Sequence, residues 1–321
     1  MSERIQIALV SDENYYVGLL VTAVSIARSA DADVDLVFNV LSGGIGQGKI
    51  ERLRNEIGKV HPRAEVRVFD VDEDRFSAFP AWHGSGRMAY ARLMLPDMLP
   101  EEDFVIYCDV DFLLTTDISE LWRLRRMDVS VQGCLDDCVT TRESESNWYV
   151  RQGLTVDIAR YFNSGMLIMN LRKFRERGYV QQLMDFLRRY PTVEYADQTA
   201  MNAVIDDVGY LPQKWCRFSK TLHGDELHGG WAIHYAGTCP WAGSRMLQPL
   251  TDAHFLWYQF YGNLVGKGVW SSMREFLSFT TIVKRRMTWV IAQHWILRKL
   301  VALFLHHGRH RYVINDLEEM A

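Results

Sequence analysis

The sequence predicts an α/β fold with a mostly parallel central sheet, and two observations support this prediction. Short apolar runs typical of strands alternate with longer helical segments through the first 110 residues. Strand-helix-strand units of this kind make right-handed crossovers, so their strands lie parallel in one sheet. The chain also has 321 residues, 48% of them hydrophobic, which suffices for one large core with an appendage.

The first half of the chain gives the clearest elements. Its strands are predicted, in order, at residues 5–10, 34–41, 66–71 and 104–108. The helices between them are predicted at residues 17–29, 49–60 and 87–95. We expect the last of these helices to stop at Pro96, because proline cannot donate the hydrogen bond that a helix interior requires.

The second half has a weaker pattern. A strand is predicted at residues 129–134, a short apolar segment at 164–171, and helices at 174–190 and 197–205. The polar residues 139–152 predict a loop. Residues 210–260 hold many aromatic, glycine and histidine residues with little periodicity, which is typical of site-forming loops.

One glycine-rich segment imitates a phosphate-binding loop. Residues 43–49 fit the spacing G-x₄-G-K, but the next residue is Ile50, which lacks the hydroxyl that holds Mg²⁺ in such loops. We therefore interpret this segment as a flexible connection that leads into the next helix.

The strand at 104–108 is followed at once by two carboxylates, Asp109 and Asp111. Burying ionised carboxylates costs several kcal/mol unless a cation compensates them. Hard cations such as Mn²⁺ and Mg²⁺ prefer oxygen ligands, so this pair predicts a metal site. The pattern Asp-x-Asp occurs five times, but the other four pairs, between residues 31 and 74, lie in polar stretches typical of solvated loops.

Four further segments carry polar side chains in a recognisable order. They are Val10-Ser-Asp12-Glu-Asn14-Tyr15, Tyr90-Ala-Arg92-Leu93, Asn163-Ser-Gly165 with Asp197-Gln198, and His234-Tyr-Ala-Gly237-Thr-Cys-Pro240-Trp241. Taken singly, each has an ordinary structural interpretation. Asn163-Ser-Gly165 alone would be a turn, Asp197-Gln198 a helix start, Arg92 a surface residue and His234 a hydrogen-bonded loop histidine.

Together with Asp109 and Asp111, these segments resemble glycosyltransferase family 8. The family comprises retaining enzymes with the Rossmann-like nucleotide-sugar fold called GT-A. The resemblance is strongest to bacterial galactosyl- and glucosyltransferases that build lipopolysaccharide or lipooligosaccharide, and it spans roughly residues 5–245. It implies a GT-A catalytic domain at residues 1–270 and a separate C-terminal tail at 271–321.

The resemblance implies a role for each motif residue. The donor-binding residues that it implies are Val10, Asp12, Asn14, Tyr15, Arg92, Asn163 and Gly237. The implied ligands of Mn²⁺ or Mg²⁺ are Asp109, Asp111 and His234. The implied catalytic residues, around the transferred sugar, are Asp136, Asp197 and Gln198. Of the pair Asp136 and Asp137, either could be the solvated carboxylate.

The sequence departs from the family pattern at one point. The family has H-x-x-G-x-x-K-P-W, whose lysine contacts the diphosphate, whereas this chain is one residue shorter and has Cys239 before Pro240. Arg245 and Lys220 are the candidates for the missing cation, and we expect the loop to re-route so that Arg245 supplies it.

The implied reaction transfers hexose from UDP-galactose or UDP-glucose to a glycan acceptor, expected to be lipid-linked, with retention. Gln198 is an amide and a poor nucleophile, which favours front-face attack in which the departing phosphate oxygen takes the acceptor proton. Two alternatives stay open: a self-glucosylating primer resembling glycogenin, and a nucleotide-sugar-binding protein that has lost turnover.

Charge is distributed unevenly along the chain. Residues 276–315 carry seven Lys or Arg and no Asp or Glu, which leaves 29 bases against 40 acids elsewhere. The longest uncharged run of the tail, 287–297, has 11 residues, against about 20 for a membrane span. A basic, aromatic-rich helix of this kind suits an anionic membrane surface, although it could instead pack on the catalytic body.

Localisation is predicted from the cysteines and the N-terminus. The five cysteines are odd in number and lack zinc-type spacing, which favours reduced thiols. Ser2-Glu3-Arg4 leads straight into a strand, without a secretory signal. We therefore expect a cytoplasmic protein, peripheral on the inner face of the cytoplasmic membrane, with no nucleic-acid partner.

Overall fold

The computed structural model describes residues 3–81, 86–242 and 249–293. The chain forms two compact units, a first that ends at Cys216 and a second that begins at Arg217. The predicted boundary at residue 270, between a catalytic domain and a C-terminal tail, is a functional division and stays a prediction.

The first unit is mixed α/β, as the sequence predicts. Its strands are β1 (Arg4–Asp12), β2 (Asp35–Gly43), β3 (Ala64–Asp70), β4 (Phe104–Cys108), β5 (Phe112–Leu114), β6 (Val131–Leu135), β7 (Phe162–Asn170) and β8 (Val208–Tyr210). Its α-helices are α1 (Tyr16–Ser29), α2 (Gln47–Val60), α3 (Leu95–Met98), α4 (Ile118–Trp122), α5 (Val139–Arg151), α6 (Leu171–Arg177), α7 (Tyr179–Arg189) and α8 (Ala196–Val204).

Seven of these strands form one sheet in the order β3-β2-β1-β4-β7-β6-β8. Strand β1 pairs in parallel with β2 and β4, and β2 in parallel with β3. Strand β7 runs antiparallel to both β4 and β6. The carboxyl ends of β1, β4 and β6 therefore lie at one edge, where β7 begins. The chain order reverses between β1 and β4, and α/β sheets bind ligands at such a reversal.

The core of this unit lies on both faces of the central strands. Every residue of β4 is buried, as expected for a strand covered on two sides. Helix α1 is buried over most of its surface, because its apolar residues occupy most faces rather than one stripe.

Three segments differ from their sequence-based prediction. Residues 88–94 form a 3₁₀ helix that continues into α3, and Pro96 lies in the first turn of α3, where its missing N–H costs nothing. The predicted loop at 139–152 is wrong, because these residues form helix α5. The predicted helix at 174–190 is interrupted at Gly178, whose φ of 64° lies in the left-handed region that glycine tolerates.

The described part of the second unit is mostly helical. It contains a parallel strand pair, β9 (Arg217–Phe218) and β10 (Ala232–His234), followed by α9 (Asp252–Val265), α10 (Val269–Phe276) and α11 (Phe279–Gln293). None of the helices in the described ranges has both the length and the hydropathy that a membrane span requires. The rest of the predicted tail, residues 294–321, lies outside the described residues.

Candidate active site at the carboxyl edge of the sheet

The carboxyl edge of the sheet collects the acidic and amide residues that the sequence singles out. Asp12 ends β1, Asp109 and Asp111 follow β4, Asp136 follows β6, and Asn163 is the second residue of β7. Side chains separated by up to about 150 positions share this edge because parallel strands end on the same side of a sheet. The structure thus gathers predicted residues from four strands in the first unit.

Asp109 is fixed by three contacts. Its Oδ1 accepts hydrogen bonds from the Tyr107 hydroxyl at 2.5 Å and from Arg92 Nη2 at 2.8 Å, while its backbone N–H donates to Gly165 at 2.7 Å. Asp111 and Asp109 each offer a carboxylate oxygen, and these atoms lie within 4.8 Å of one another. Two hard oxygen ligands so close together, one of them held rigidly, are the kind of arrangement that a divalent cation uses.

Arg92 lies at the centre of the acidic edge and is only 3% exposed. Its Nε pairs with Asp197 at 3.0 Å, its Nη2 reaches Asp109, and its Nη1 donates to the Ser164 carbonyl at 2.7 Å. Its guanidinium also lies 4.1 Å from the centre of the Tyr107 ring. Burial lowers the pKa of Arg92, but the carboxylates of Asp109 and Asp197 outweigh burial and raise it overall. One permanently charged guanidinium is therefore shared by two carboxylates.

Asp197 is buried in the first turn of α8. Burial raises the pKa of its carboxyl to about 6, since the attraction of Arg92 is smaller and the charge of Asp109 adds repulsion. This edge thus holds more carboxylate charge than Arg92 can compensate. A cation bound nearby would favour the ionised form of Asp197, so the residues present fit a metal ion.

Gln198, Asn163 and Asp136 form one hydrogen-bonded network. Gln198 Oε1 accepts the Ser164 N–H at 2.9 Å, and its Nε2 lies 3.3 Å from Asp136 Oδ2. Asn163 Nδ2 donates to the same Asp136 oxygen at 3.2 Å, and Asn163 Oδ1 accepts the Gly165 N–H at 2.9 Å. All three side chains are buried, so each amide can adopt only one orientation that satisfies its neighbours. Asp136 rather than Asp137 is the buried carboxylate of the pair.

The backbone is strained at Ala196, the residue directly before Asp197 and Gln198. Its φ is 47°, and it is the one non-glycine residue in the described ranges with a positive φ. A non-glycine residue in this region costs on the order of 1–2 kcal/mol. Such strain recurs at functional sites, and here it sets the direction in which Asp197 and Gln198 enter the site.

The loop after β1 is shaped by its aspartate. Asp12 Oδ1 accepts the backbone N–H groups of Asn14 and Tyr15, each at 2.9 Å. This is a side-chain turn in which the carboxylate replaces a backbone carbonyl. Val10, which lies in β1 two residues before Asp12, is buried, whereas Asn14 is exposed.

In the second unit, His234 ends β10 and is 4% exposed. Its ring stacks on Phe218 with 5.6 Å between ring centres. Gly237, three residues later, has a φ of 67° and is exposed. The His234 ring is thus held in one plane by its own unit.

The loop that follows Gly237 is also anchored within the second unit. The Tyr258 hydroxyl donates to the Pro240 carbonyl at 2.6 Å, and Trp241 packs on Trp257 with 5.6 Å between ring centres. These contacts fix the segment in which Cys239 replaces the family lysine. Arg245, the predicted substitute, lies outside the described residues.

Sequence reasoning did not predict Glu145, Tyr107 or Ser164 as parts of the site. Ser164 contributes backbone atoms and Tyr107 belongs to a uniformly apolar strand, so neither has a distinguishing pattern. Glu145 did have one: together with Trp148 and Tyr149 it follows the i, i+3, i+4 spacing of one helix face. The polar residues between them concealed this face.

The fold of this chain is the GT-A fold. The galactosyltransferase LgtC, solved in complex with donor and acceptor sugar analogues, shares this fold at a TM-score of 0.65 and 24% identity, over 81% of this chain and 96% of LgtC. The family described as glycosyl transferase family 8 matches residues 6–244. The chain therefore belongs to glycosyltransferase family 8, which confirms the resemblance predicted from its motifs.

Curated relatives agree with this assignment. General stress protein A of Bacillus subtilis (strain 168) is 27% identical, over 66% of this chain and 73% of that protein. Lipopolysaccharide 1,2-glucosyltransferase of Escherichia coli (strain K12) is 25% identical, over 75% of this chain and 73% of that enzyme. The chain is thus a family 8 glycosyltransferase related to the enzymes of lipopolysaccharide synthesis.

Proposed function

We propose that this chain is a metal-dependent, retaining hexosyltransferase. It would move galactose or glucose from UDP to a sugar of a lipid-linked saccharide, such as lipopolysaccharide. The observation that carries the proposal is the position of Asp109, held by Arg92 and Tyr107 beside Asp111 at the reversal point of the sheet. The relationship to a lipopolysaccharide glucosyltransferase supports the acceptor class.

Asp109, Asp111 and His234 are the proposed ligands of Mn²⁺ or Mg²⁺, and each offers one ligand atom. When bound, the dication would neutralise the charge that grows on the departing diphosphate. The protein's part is to hold the ligands in place. Tyr107 and Arg92 orient the Asp109 carboxylate, and stacking on Phe218 orients the His234 imidazole.

The nucleotide is proposed to bind at the loop after β1. Asp12, Asn14 and Tyr15 would hold uracil and ribose, with Val10 forming the floor. Gly237 would let backbone N–H groups approach the diphosphate, because glycine has no side chain to block them and tolerates the left-handed conformation observed there. Arg92, which the family resemblance assigns to the donor, would act chiefly by keeping Asp109 and Asp197 in place.

The transferred sugar is proposed to lie against Asn163, Asp197 and Gln198, with Asp136 near the acceptor. Acidic groups favour the positive charge that develops on the sugar ring as its bond to phosphate breaks. Gln198, as an amide, would orient the sugar by hydrogen bonding rather than attack it. The acceptor hydroxyl would then attack from the face that the diphosphate leaves, and its proton would pass to the departing phosphate oxygen.

The reaction is tested by incubating the chain with UDP-galactose or UDP-glucose and Mn²⁺, without an acceptor, and measuring released UDP. We expect slow hydrolysis that EDTA removes and that Asp111→Asn abolishes. Asp33→Asn is the matched control, because Asp33 belongs to an exposed Asp-x-Asp pair. Equal rates in the two variants would contradict a metal site at Asp111.

A second candidate function is a nucleotide-sugar-binding protein without turnover, which the Cys239 in place of the family lysine favours. The same samples separate the two functions when UDP-sugar binding is measured by thermal shift. Binding with no UDP release, even when saccharide acceptors are added, would identify the binding protein.

The described part of the basic tail supports a peripheral membrane role, which we propose for the inner face of the cytoplasmic membrane. Helix α11 exposes one apolar stripe, spaced by four, four and three residues, whose members are Phe279, Val283, Met287 and Val290. Its other face packs within the second unit, where Ile282 and Arg285 are buried and Arg286 pairs with Asp252 at 2.9 Å. A fixed helix with an exposed apolar stripe and basic neighbours suits the interface of an anionic bilayer.

A further inference from the structure

Glu145 is a fully buried carboxyl group in the middle of α5, away from the acidic edge. Its relative exposure is 0%. Its Oε1 accepts a hydrogen bond from the Thr199 hydroxyl at 3.0 Å, and its Oε2 has no hydrogen-bond partner within the described parts of the chain. Buried carboxyls are normally paired with a cation, so a site that keeps one without such a pair calls for an explanation.

The surroundings of Glu145 lead directly to Gln198. The Tyr161 hydroxyl lies close enough to the Glu145 carboxyl to lower its pKa, and it accepts a hydrogen bond from Gln198 Nε2 at 3.1 Å. Thr199, the other partner of Glu145, follows Gln198 in α8, and its carbonyl accepts the Tyr149 hydroxyl at 2.7 Å. Helix α5 therefore holds Thr199 of α8 by two hydrogen bonds. Glu145 accepts one from the Thr199 hydroxyl, and Tyr149 donates the other to the Thr199 carbonyl.

The protonation of Glu145 changes near neutral pH. Burial raises its pKa to about 7, and the negative charge of Glu194 adds to this, while the Thr199, Tyr149 and Tyr161 hydroxyls act in the opposite direction. As an ionised group, Glu145 can only accept hydrogen bonds, so the neighbouring Tyr161 hydroxyl can turn its proton toward the free Oε2 and leave its oxygen for Gln198. As a carboxylic acid, Glu145 has a proton of its own to donate to the Tyr161 oxygen, where it competes with Gln198.

We propose that Glu145 is a positioning residue that sets the orientation of the Gln198 amide through Tyr161. The ionised carboxyl keeps Nε2 of Gln198 directed toward Tyr161 and Asp136, and Oε1 directed toward the Ser164 N–H. Protonation loosens this arrangement. The catalytic consequence rests on the proposed function, because it assumes that Gln198 orients the transferred sugar.

The first test observes the Gln198 side-chain amide by NMR in the full chain labelled on glutamine, with its resonance identified by Gln198→Glu. We expect this resonance to titrate near pH 7 in the unmodified chain. In Glu145→Gln, whose amide keeps the size but never ionises, it should stay at its low-pH position. The matched control is Glu143→Gln on the same helix, which is exposed and should titrate like the unmodified chain.

The second test is kinetic. We expect Glu145→Gln to lower kcat for transfer about tenfold, the scale of a misplaced positioning group, and to leave the KM for the donor unchanged. In the unmodified chain we expect kcat to fall as the pH drops through 7, because Glu145 becomes protonated. In Glu145→Gln this pH dependence should be absent. Tyr161→Phe should give the same kcat loss, and the double variant no further loss, since both act on one hydrogen bond.

The outcomes separate this inference from the proposed function. A chain that releases no UDP contradicts the proposed function, yet the Gln198 titration still decides the role of Glu145. A Gln198 resonance that titrates unchanged in Glu145→Gln, or an active chain with normal kcat in that variant, overturns the inference alone. If Glu145→Gln does not fold, Tyr161→Phe carries the test, because it removes the linking hydroxyl and leaves the buried carboxyl in place.

Discussion

Arg92 shows how much one side chain can hold together. Its planar guanidinium presents donors in several directions at once, and it uses them on two carboxylates and the Ser164 carbonyl. A lysine carries all its donors on one nitrogen, so it could not span these separated partners as the rigid guanidinium does. The motif around Arg92 predicts a donor-binding residue, whereas the contacts in the structure are those of a clamp within the protein.

We therefore expect Arg92→Met to destabilise the fold as well as the site. Removing the cation leaves Asp197 buried beside Asp109, and breaking a buried pair in this way costs about 3 kcal/mol in the free energy of unfolding. Urea unfolding measures the loss. Arg126→Met is the control, since Arg126 pairs with Asp128 at the surface and its removal should leave the midpoint unchanged. Equal midpoints for the two variants would contradict the clamp.

Single residues also mark the limit of sequence-based prediction. Asp109 and Asp111 could be predicted because apolar neighbours on both sides make two carboxylates conspicuous. Glu145 was not predicted, because the polar residues around it conceal the helix face that it shares with Trp148 and Tyr149. Its burial depends on Tyr149, Tyr161 and Thr199, and only the packing of α5 against α8 and the start of β7 brings these together.

At the scale of elements, the start of α9 depends on a histidine that must stay neutral. His254 Nδ1 lies 2.8 Å from the Thr251 hydroxyl in a capping box, and Nε2 lies 3.1 Å from the Thr238 carbonyl. The carbonyl can only accept, so the partners assign the proton to Nε2. Burial, with the charge of Arg285 adding to it, lowers the pKa of His254 from 6.5 to about 3.

This lowered pKa predicts a loss of stability in acid. Above pH 6.5 the imidazole is neutral in both states, so it adds no pH dependence. Below pH 6.5 the unfolded chain takes up a proton that the folded chain refuses until about pH 3. At pH 5 this difference in protonation lowers the free energy of unfolding by about 2 kcal/mol.

Urea unfolding at pH 7.5 and pH 5 checks this prediction. His254→Gln keeps a donor and an acceptor but no titration, so it should lose less stability between the two pH values than the unmodified chain. His228→Gln, at an exposed position, should behave like the unmodified chain. If both variants lose stability equally, His254 is not the group responsible.

Elements were predicted best where burial is uniform. The predicted bounds of β4 match the structure, because five buried residues in a row leave no doubt about the strand. Helix α5 was missed because its buried face includes a glutamate and its remaining residues are polar, so that it has almost no amphipathic pattern. The break at Gly178 was missed because the apolar spacing continues across it.

At the scale of the whole molecule, the basic C-terminal segment would strengthen the proposed binding of α11 to an anionic membrane. Its apolar stripe is exposed while Arg285 and Arg286 are engaged within the second unit. Lys284 remains exposed on the same helix, and the sequence adds Arg298, Lys299, Arg309 and Arg311 beyond the described residues. Both the apolar and the electrostatic contributions to binding are thus present in the chain.

Co-sedimentation with anionic vesicles tests this role. The unmodified chain should sediment with them, and less so at high salt, because screening weakens surface electrostatics. Phe279→Glu with Met287→Glu should abolish binding without disturbing the packed face of α11. Val150→Glu, which makes the same change at an exposed apolar residue of the first unit, is the control. Binding that survives the double substitution would exclude the α11 stripe as the contact.

The sequence by itself predicted the α/β class, the family and the candidate residues of the acidic edge. These follow from periodicity and from local motifs, both of which are properties of neighbouring positions. The tertiary structure alone decided what each polar residue does: that Arg92 spans two carboxylates, that Ala196 is strained, and that Glu145 is buried behind Gln198. Burial and charge pairing depend on residues far apart in the chain, and only folding brings those residues within a few ångströms of one another.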